Sequence, residues 1–163
     1  MAVTSSQSAT VTLPADDQIL ITREFDAPRH LVYEAWTTPE LVRQWWHANR
    51  GEMRVTEIDL RVGGRWRYAM VTEDGVEVAF NGEYRELVPN ERIVSTEAYE
   101  AAPEGGETVN TLTLSEADGR TTATILVQCP SKEVRDAIID SGMEDGLQDA
   151  LDLLEQVAVS RRS

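Results

Sequence analysis

The sequence predicts an α+β domain in which a curved antiparallel sheet of about seven strands wraps around a long C-terminal helix. Two observations support this expectation. Between about Met53 and Cys129, apolar residues tend to alternate with polar ones, whereas beyond Cys129 they recur at every third or fourth position. A period of two is typical of half-buried strands, and three- and four-residue steps are typical of an amphipathic helix.

The predicted domain covers residues 18–159, between a flexible N-terminal tail (1–17) and a short C-terminal tail (160–163). The first seventeen residues are rich in Ser, Thr, Ala and Asp and contain few apolar residues. The segment QILITREF predicts the first strand. Pro28 and Pro39 each lie at the start of a segment with helical spacing, so two short helices should follow.

Six further strands are predicted after these helices, because turn-forming pairs divide the region into hairpins: Gly63-Gly64, Asp74-Gly75 and Asp118-Gly119. Consecutive hairpins predict a meander. The alternation places Trp66, Tyr68 and Met70 on the inner side of one strand. Phe80 and Tyr84 continue this pattern in the next strand, until it is lost at Leu87. Gly82, between them, marks a place where the sheet can bend or let another element approach.

The final helix is predicted to be capped by Ser131 and to be kinked or broken at Gly142. Its later part has an apolar face that should pack on the sheet, formed by Met143, Leu147, Ala150, Leu151, Leu154, Val157 and Ala158. Its polar face should contact solvent and contains Glu144, Asp145, Gln148, Asp149, Asp152 and Glu155. One helix stripe cannot fill a curved sheet, so a wedge-shaped cavity is expected between them.

Composition excludes several classes of protein. The formal net charge of -14 makes nucleic acid an improbable partner, since the mean field repels phosphates. Cys129 is the single cysteine, so no intramolecular disulfide can form. No signal peptide is evident, and no segment approaches the roughly 18 apolar residues of a membrane helix. We expect a cytoplasmic protein without membrane insertion.

Four segments, in this order, resemble the Aha-type branch of the START-like (SRPBCC) superfamily, which is related to activators of the heat-shock-protein-90 ATPase: REFDAPRHLVYEAWTTPELVRQWW, IDLRVGGRWRYAM, FNGEYRELVPNERIVSTE and SGMEDGLQDALDLLEQV. The resemblance covers about residues 18–158. It implies a helix-grip (Bet v 1-like) fold with an internal cavity. This chain departs from many relatives in having Leu147 where they have Trp, which would leave more room beside the helix.

The candidate ligand-binding residues are the apolar side chains expected between sheet and helix: Trp45, Trp46, Trp66, Tyr68, Met70, Phe80, Tyr84, Met143, Leu147 and Leu151. Their aromatic rings, with a few hydroxyl and indole donors, suit a flat or elongated apolar molecule. The competing interpretation is that these residues are only core. Glu97, Gln128 and Thr111 are second-rank candidates for polar groups inside the pocket.

Other reactive residue types indicate no further site. Neither histidine, His30 or His47, has a partner at metal-ligand spacing, so we predict no metal and no cofactor. Cys129 has no base near it in sequence and is expected to be a buried small hydrophobe.

Three functions follow. The first is binding of a small hydrophobic or aromatic ligand, such as a lipid, sterol or polyphenol-like molecule, without catalysis. The second is a polyketide cyclase or aromatase in which Tyr68, Tyr84 or His47 transfers protons. The third, implied by the resemblance, is an interaction module for a chaperone partner. A homodimer is compatible with all three.

Overall fold

A computed structural model of the protein describes residues 8–162. Its eight strands are β1 (Thr10–Thr12), β2 (Gln18–Phe25), β3 (Gly51–Ile58), β4 (Arg65–Thr72), β5 (Glu77–Val88), β6 (Arg92–Tyr99), β7 (Glu107–Ala117) and β8 (Arg120–Gln128). Its four α-helices are α1 (Arg29–Thr37), α2 (Pro39–Trp45), α3 (Lys132–Asp140) and α4 (Met143–Ser160). A 3-10 turn, Pro103–Gly105, precedes β7.

All eight strands form one antiparallel sheet in the order β1-β2-β8-β7-β6-β5-β4-β3. The predicted meander is therefore confirmed from β3 to β8, and β2 lies between β8 and the edge strand β1. Alternate residues of each strand point towards the helices. This inner face includes Phe25, Trp66, Tyr84 and Leu112, all of them buried in the core. The fold confirms the α+β class.

The structure has one strand more than predicted. This strand, β1, lies in the segment predicted to be a flexible tail. Thr10–Thr12 pairs with Leu20–Thr22, and the backbone of Ala9 exchanges two hydrogen bonds with the Gln148 amide, at 2.9 and 2.8 Å. The tail prediction is thus wrong for this part. Backbone pairing does not depend on apolar content, so the composition of the segment could not reveal it. Residues 1–7 of the predicted tail, and Ser163, lie outside the described residues.

The turns that divide the sheet follow the predicted glycines. Gly63, Gly75 and Gly119 have φ angles of 84°, 85° and 75°, in the left-handed region where glycine carries no steric penalty.

The predicted long C-terminal helix is two helices. Ser131 caps α3 by accepting a hydrogen bond from the Val134 amide at 3.2 Å, and Gly142, with φ of 80°, separates α3 from α4. The break at Gly142 is the predicted one. Helix α4 packs along α1 and α2, with Leu151 and Leu154 fully buried. No helix within residues 8–162 has the length and apolar character needed to cross a membrane.

The main anchor of α4 is Arg23, on the inner face of β2 and only 2% exposed. Its guanidinium binds Asp152 and Glu155 of α4, each at 2.8 Å, and lies 5.1 Å from the ring centre of Phe25. The other carboxylate oxygen of Glu155 accepts a hydrogen bond from the Asp26 amide at 2.8 Å. The prediction that Asp152 and Glu155 only face solvent is therefore wrong.

Gly82 permits a close approach of three strands. A Cβ atom at this position would lie 1.8 Å from the carbonyl oxygen of Thr96 and 2.6 Å from Nε1 of Trp66. Trp66 is the residue paired with Gly82 on β4, so its indole lies over the glycine. The predicted bend site is thus a position where no side chain fits.

Replacing Arg23 with Met should lower the free energy of unfolding by about 3 kcal/mol, because a partly buried carboxylate pair would lose its cation. Urea denaturation followed by circular dichroism measures this loss. The control is Arg43→Met on the exposed side of α2, where the arginine forms no ion pair with any residue from 8 to 162. Equal stabilities for the two variants would contradict the anchoring role of Arg23.

Gly82→Ala should also cost about 3 kcal/mol of stability, since the added methyl group overlaps a backbone carbonyl that cannot move alone. Gly105→Ala is the matched control, because nothing lies within 4 Å of its Cβ position. It should change stability by less than about 0.5 kcal/mol. A thermal melt that ranked the two variants the other way would show that the sheet relaxes freely at Gly82.

Candidate functional site

Nine of the ten predicted ligand-binding residues belong to one apolar cluster between the sheet and the helices. Five of them are buried within it: Trp45, Trp66, Tyr68, Tyr84 and Leu151. Four are half-buried and pack against it: Trp46, Phe80, Met143 and Leu147. The tenth, Met70, is buried but lies outside the cluster.

Two of these residues belong to the closed part of the core. The indole nitrogen of Trp45 donates to the carbonyl oxygen of Ala35 at 2.9 Å, and its ring packs edge-on against Trp36 at 5.7 Å. Leu151 is 2% exposed beside the Arg23 anchor. Both have structural partners that fully account for their burial, so we assign them to the core.

The other aromatic residues form a chain of rings that leads from the core to the surface. Trp66 lies 4.8 Å from Tyr68, and Trp46 packs against Tyr68 and Phe80 at 5.6 and 5.8 Å. Phe80 stacks on Tyr99 at 4.9 Å, and Tyr99 is 39% exposed. We call Trp46, Phe80 and Tyr99 the aromatic rim.

Tyr99 was not predicted, and a β-bulge explains why. The register between β5 and β6 shifts between Tyr84 and Glu86, so Leu87 returns to the inner face and pairs with Ile93. This is the point where the alternation is lost in the sequence. Tyr99 could have been identified from its pairing with Phe80. That pairing depends on the register between β5 and β6, and the alternation of β5 alone does not define this register.

Polar groups lie deeper on the same face. Burial raises the pKa of Tyr84 to about 12, although the adjacent hydroxyl of Tyr68 acts in the opposite direction. Burial also raises the pKa of Tyr68 well above its usual range, assisted by the nearby Tyr84 and Glu97. Both phenols therefore remain protonated at neutral pH and act as hydrogen-bond donors.

Glu97, a second-rank candidate, lies on this inner face. Its Oε1 accepts a hydrogen bond from the Asn110 amide at 3.0 Å, and Asn110 in turn accepts one from the Thr108 hydroxyl at 2.9 Å. Part of the residue reaches the surface, but burial of the carboxyl group raises the pKa of Glu97, against the effect of the Asn110 hydrogen bond. A carboxyl group is thus held in place in an apolar environment.

The other two second-rank candidates do not enter this space. Gln128 lies on the opposite face of the sheet, where its Oε1 accepts a hydrogen bond from Gln18 at 2.9 Å. Thr111 alternates with Asn110 along β7 and lies on that outer face too. Both predictions were limited by the uncertain parity of these strands.

His47 is also separate from the tyrosines. Its Nδ1 accepts a hydrogen bond from the Asn49 amide at 2.9 Å, and it lines an open groove of about 420 Å³ with β3 and β4 residues. A second open groove, of about 300 Å³, lies at the outer face. There Arg67 and Asn81 hold the pKa of Glu100 at about 2 through hydrogen bonds.

Cys129 lies where the sequence predicts it, in the interior of the protein. Cys129 is buried, and this burial raises the pKa of its thiol, so it is a small core residue. Within residues 8–162, no three His, Cys, Asp or Glu side chains come together in a way that could hold a metal ion.

Solved structures share this architecture. A protein from Rhodobacter sphaeroides superposes with a TM-score of 0.86 at 24% identity, covering 94% of this chain and 99% of its own. A Mycobacterium smegmatis protein gives 0.84 at 24% identity, covering 95% and 99%. A Chromobacterium violaceum protein gives 0.74 at 29% identity, covering 86% and 96%. These similarities establish the helix-grip fold.

Comparison of the sequence with protein families identifies the family as well as the fold. No match is found among curated proteins. A family model described as Activator of Hsp90 ATPase homolog 1-like protein matches residues 26–158, which is most of the chain. The resemblance seen in the four sequence segments is thereby confirmed, and the chain belongs to the Activator of Hsp90 ATPase homolog 1-like family.

Proposed function

We propose that the protein binds a small hydrophobic or aromatic molecule, such as a lipid, a sterol or a polyphenol-like compound, between the sheet and the N-terminal half of α4. The observation that supports this most strongly is the uneven burial of one continuous apolar surface. Large apolar side chains are fully buried at one end of the inner face and half-exposed at the other.

Helix α4 shows this gradient along its length. Leu151, Leu154 and Ala158 are almost completely withdrawn from water, whereas Met143 and Leu147 are only half-buried. A ligand that covered the exposed half would gain roughly 25 cal/mol for each Å² of apolar surface removed from water.

The aromatic rim, formed by the end of α2 and by β5 and β6, shows the same gradient. Trp46 and Phe80 are half-buried and Tyr99 is exposed, although all three contact the core through aromatic neighbours. Ring edges and faces arranged in this way accept a further flat ring in stacked or edge-on geometry. Met143, an unbranched and polarisable side chain, can adapt to ligands of different shape.

A cyclase-type activity is the second candidate, because Tyr68 and Tyr84 lie next to each other with Glu97 nearby. The phenols can donate protons and Glu97 can accept one. His47 has no part in it, since it lies in the open groove. If this candidate is right, the protein converts an aromatic polyketone, and Tyr68→Phe abolishes this turnover while the compound still binds. Binding of the polyketone without turnover would support ligand binding alone.

Ligand binding should raise the melting temperature. At a ligand concentration of 100 times Kd the stabilisation is about 2.7 kcal/mol, which is roughly 5–10 °C for a domain of this size. The measurement is a thermal shift and an amide NMR titration with dodecanoate, a sterol and a flavone. Unchanged melting temperatures and unchanged spectra with all three classes would rule out the proposal.

Filling the expected binding space beside α4 should abolish the effect. Leu147→Trp places an indole between the helix and the aromatic rim, and we expect at least about ten-fold weaker binding of any ligand found above. The control is Gln156→Trp on the exposed side of the same helix, which should bind normally. Equal affinities in the two variants would place the ligand elsewhere.

A further inference from the structure

Among the described residues, two fully buried polar atoms of the inner face have no partner. Nε1 of Trp66 and Oγ1 of Thr56 are both buried, and neither forms a hydrogen bond with any residue in the range 8–162. Trp66 is 7% exposed and its ring lies 4.8 Å from that of Tyr68, while Thr56 pairs with Tyr68 on the neighbouring strand, so both residues are neighbours of Tyr68. Buried N–H and O–H groups in folded proteins almost always have a partner, so these two atoms indicate a place where an oxygen of another molecule belongs.

Gly82 determines where the Trp66 N–H lies. A Cβ at Gly82 would be 2.6 Å from Nε1, so the indole nitrogen lies directly over the glycine. In the register between β5 and β6, Asn81 pairs with Ala98 and Tyr84 pairs with Ser95. Gly82 on β5 is therefore directly opposite Glu97 on β6. The unpartnered donor and the buried carboxyl group are therefore neighbours on one surface.

Glu97 offers the complementary half of a hydrogen-bonding pair. Its Oε1 is occupied by Asn110, while its Oε2 accepts no hydrogen bond from the described part of the chain. Oε2 is an acceptor and Trp66 Nε1 is a donor. A hydroxyl group satisfies both at once, because its oxygen accepts one bond and its proton is donated in the other.

The charge of the site argues against an anionic ligand. Arg23 is the single cationic side chain on the inner face of the described strands, and its guanidinium is bound by Asp152 and Glu155 at the closed end. Arg50, at the first half of α4, is likewise already bound to Asp149 at 2.7 Å. A ligand carboxylate placed near Trp66 would therefore meet Glu97 while both arginines are already paired. Two like charges in a site of low polarity repel strongly.

We infer that the ligand carries an uncharged hydroxyl group, as a phenol or an alcohol, which accepts a hydrogen bond from Trp66 Nε1 and donates one to Glu97 Oε2. This inference rests on the proposed function and refines it. It divides the three ligand classes, because sterols and polyphenols have such a group, whereas fatty acids present a carboxylate.

Three probes of similar shape test the inference: 2-naphthol, 2-methylnaphthalene and 2-naphthoate. Their affinities are measured at neutral pH by NMR titration of the unmodified protein. We expect 2-naphthol to bind about ten-fold more tightly than 2-methylnaphthalene and at least ten-fold more tightly than 2-naphthoate. The Trp66 indole proton, assigned with Trp66→Phe, should move downfield with 2-naphthol and not with 2-methylnaphthalene.

Glu97→Gln provides the matched substitution. It removes the negative charge and keeps the shape, so 2-naphthoate should bind to within about three-fold of 2-naphthol. Glu77→Gln, an exposed carboxylate on β5, is the control and should keep the original preference. Circular dichroism checks that each variant is folded. If a variant does not fold, the affinities of 2-naphthol and 2-naphthoate for the unmodified protein still test the inference.

The outcomes separate the two proposals. Equal binding of 2-naphthol and 2-naphthoate by the unmodified protein, or an indole proton that does not respond to 2-naphthol, overturns the hydroxyl inference and leaves the hydrophobic site intact. Failure of all three probes to bind, together with failure of the ligand panel, overturns the proposed function itself.

Discussion

Arg23 joins the sheet to the C-terminal helix through a guanidinium that is almost completely withdrawn from water. Both of its carboxylate partners, Asp152 and Glu155, lie in the second half of α4. The first half is held by weaker contacts: an exposed ion pair between Arg50 and Asp149, and the bonds from Gln148 to Ala9. Exposed ion pairs contribute little stability, so one end of the helix is fixed and the other is only tethered.

This difference in attachment explains the position of the candidate site. At the fixed end, buried side chains from α1, α2 and α4 cover the sheet. The aromatic rim contains Trp46 from the end of α2 and Phe80 and Tyr99 from the sheet, and polar groups that a purely structural core would avoid lie deeper on the same face. A partly buried carboxyl group, two protonated phenols and an indole nitrogen with no partner among the described residues are costly in a core, and they are the usual means of orienting a bound molecule.

Local patterns predicted much of this architecture. The hairpin glycines, the break at Gly142 and the inner position of Trp66 and Tyr68 follow from turn chemistry and alternation over a few residues. The edge strand Thr10–Thr12, the role of Arg23 and the exposure of Tyr99 could not be predicted in this way. Each depends on a partner far away in sequence or on a register that a β-bulge shifts, and single-sequence periodicity contains no information about either.

The pairing of β2 with β8 has a consequence for how the chain folds. Gln18 faces Gln128 across this ladder, so the second strand finds its partner only after more than a hundred further residues have been synthesised. Contacts between such distant segments slow folding, because a long loop must close before they form. During synthesis the meander from β3 onwards can assemble first, while β2 waits with one edge unpaired. Pairing of β2 with β8 and docking of α4 on the sheet are then the last steps of folding.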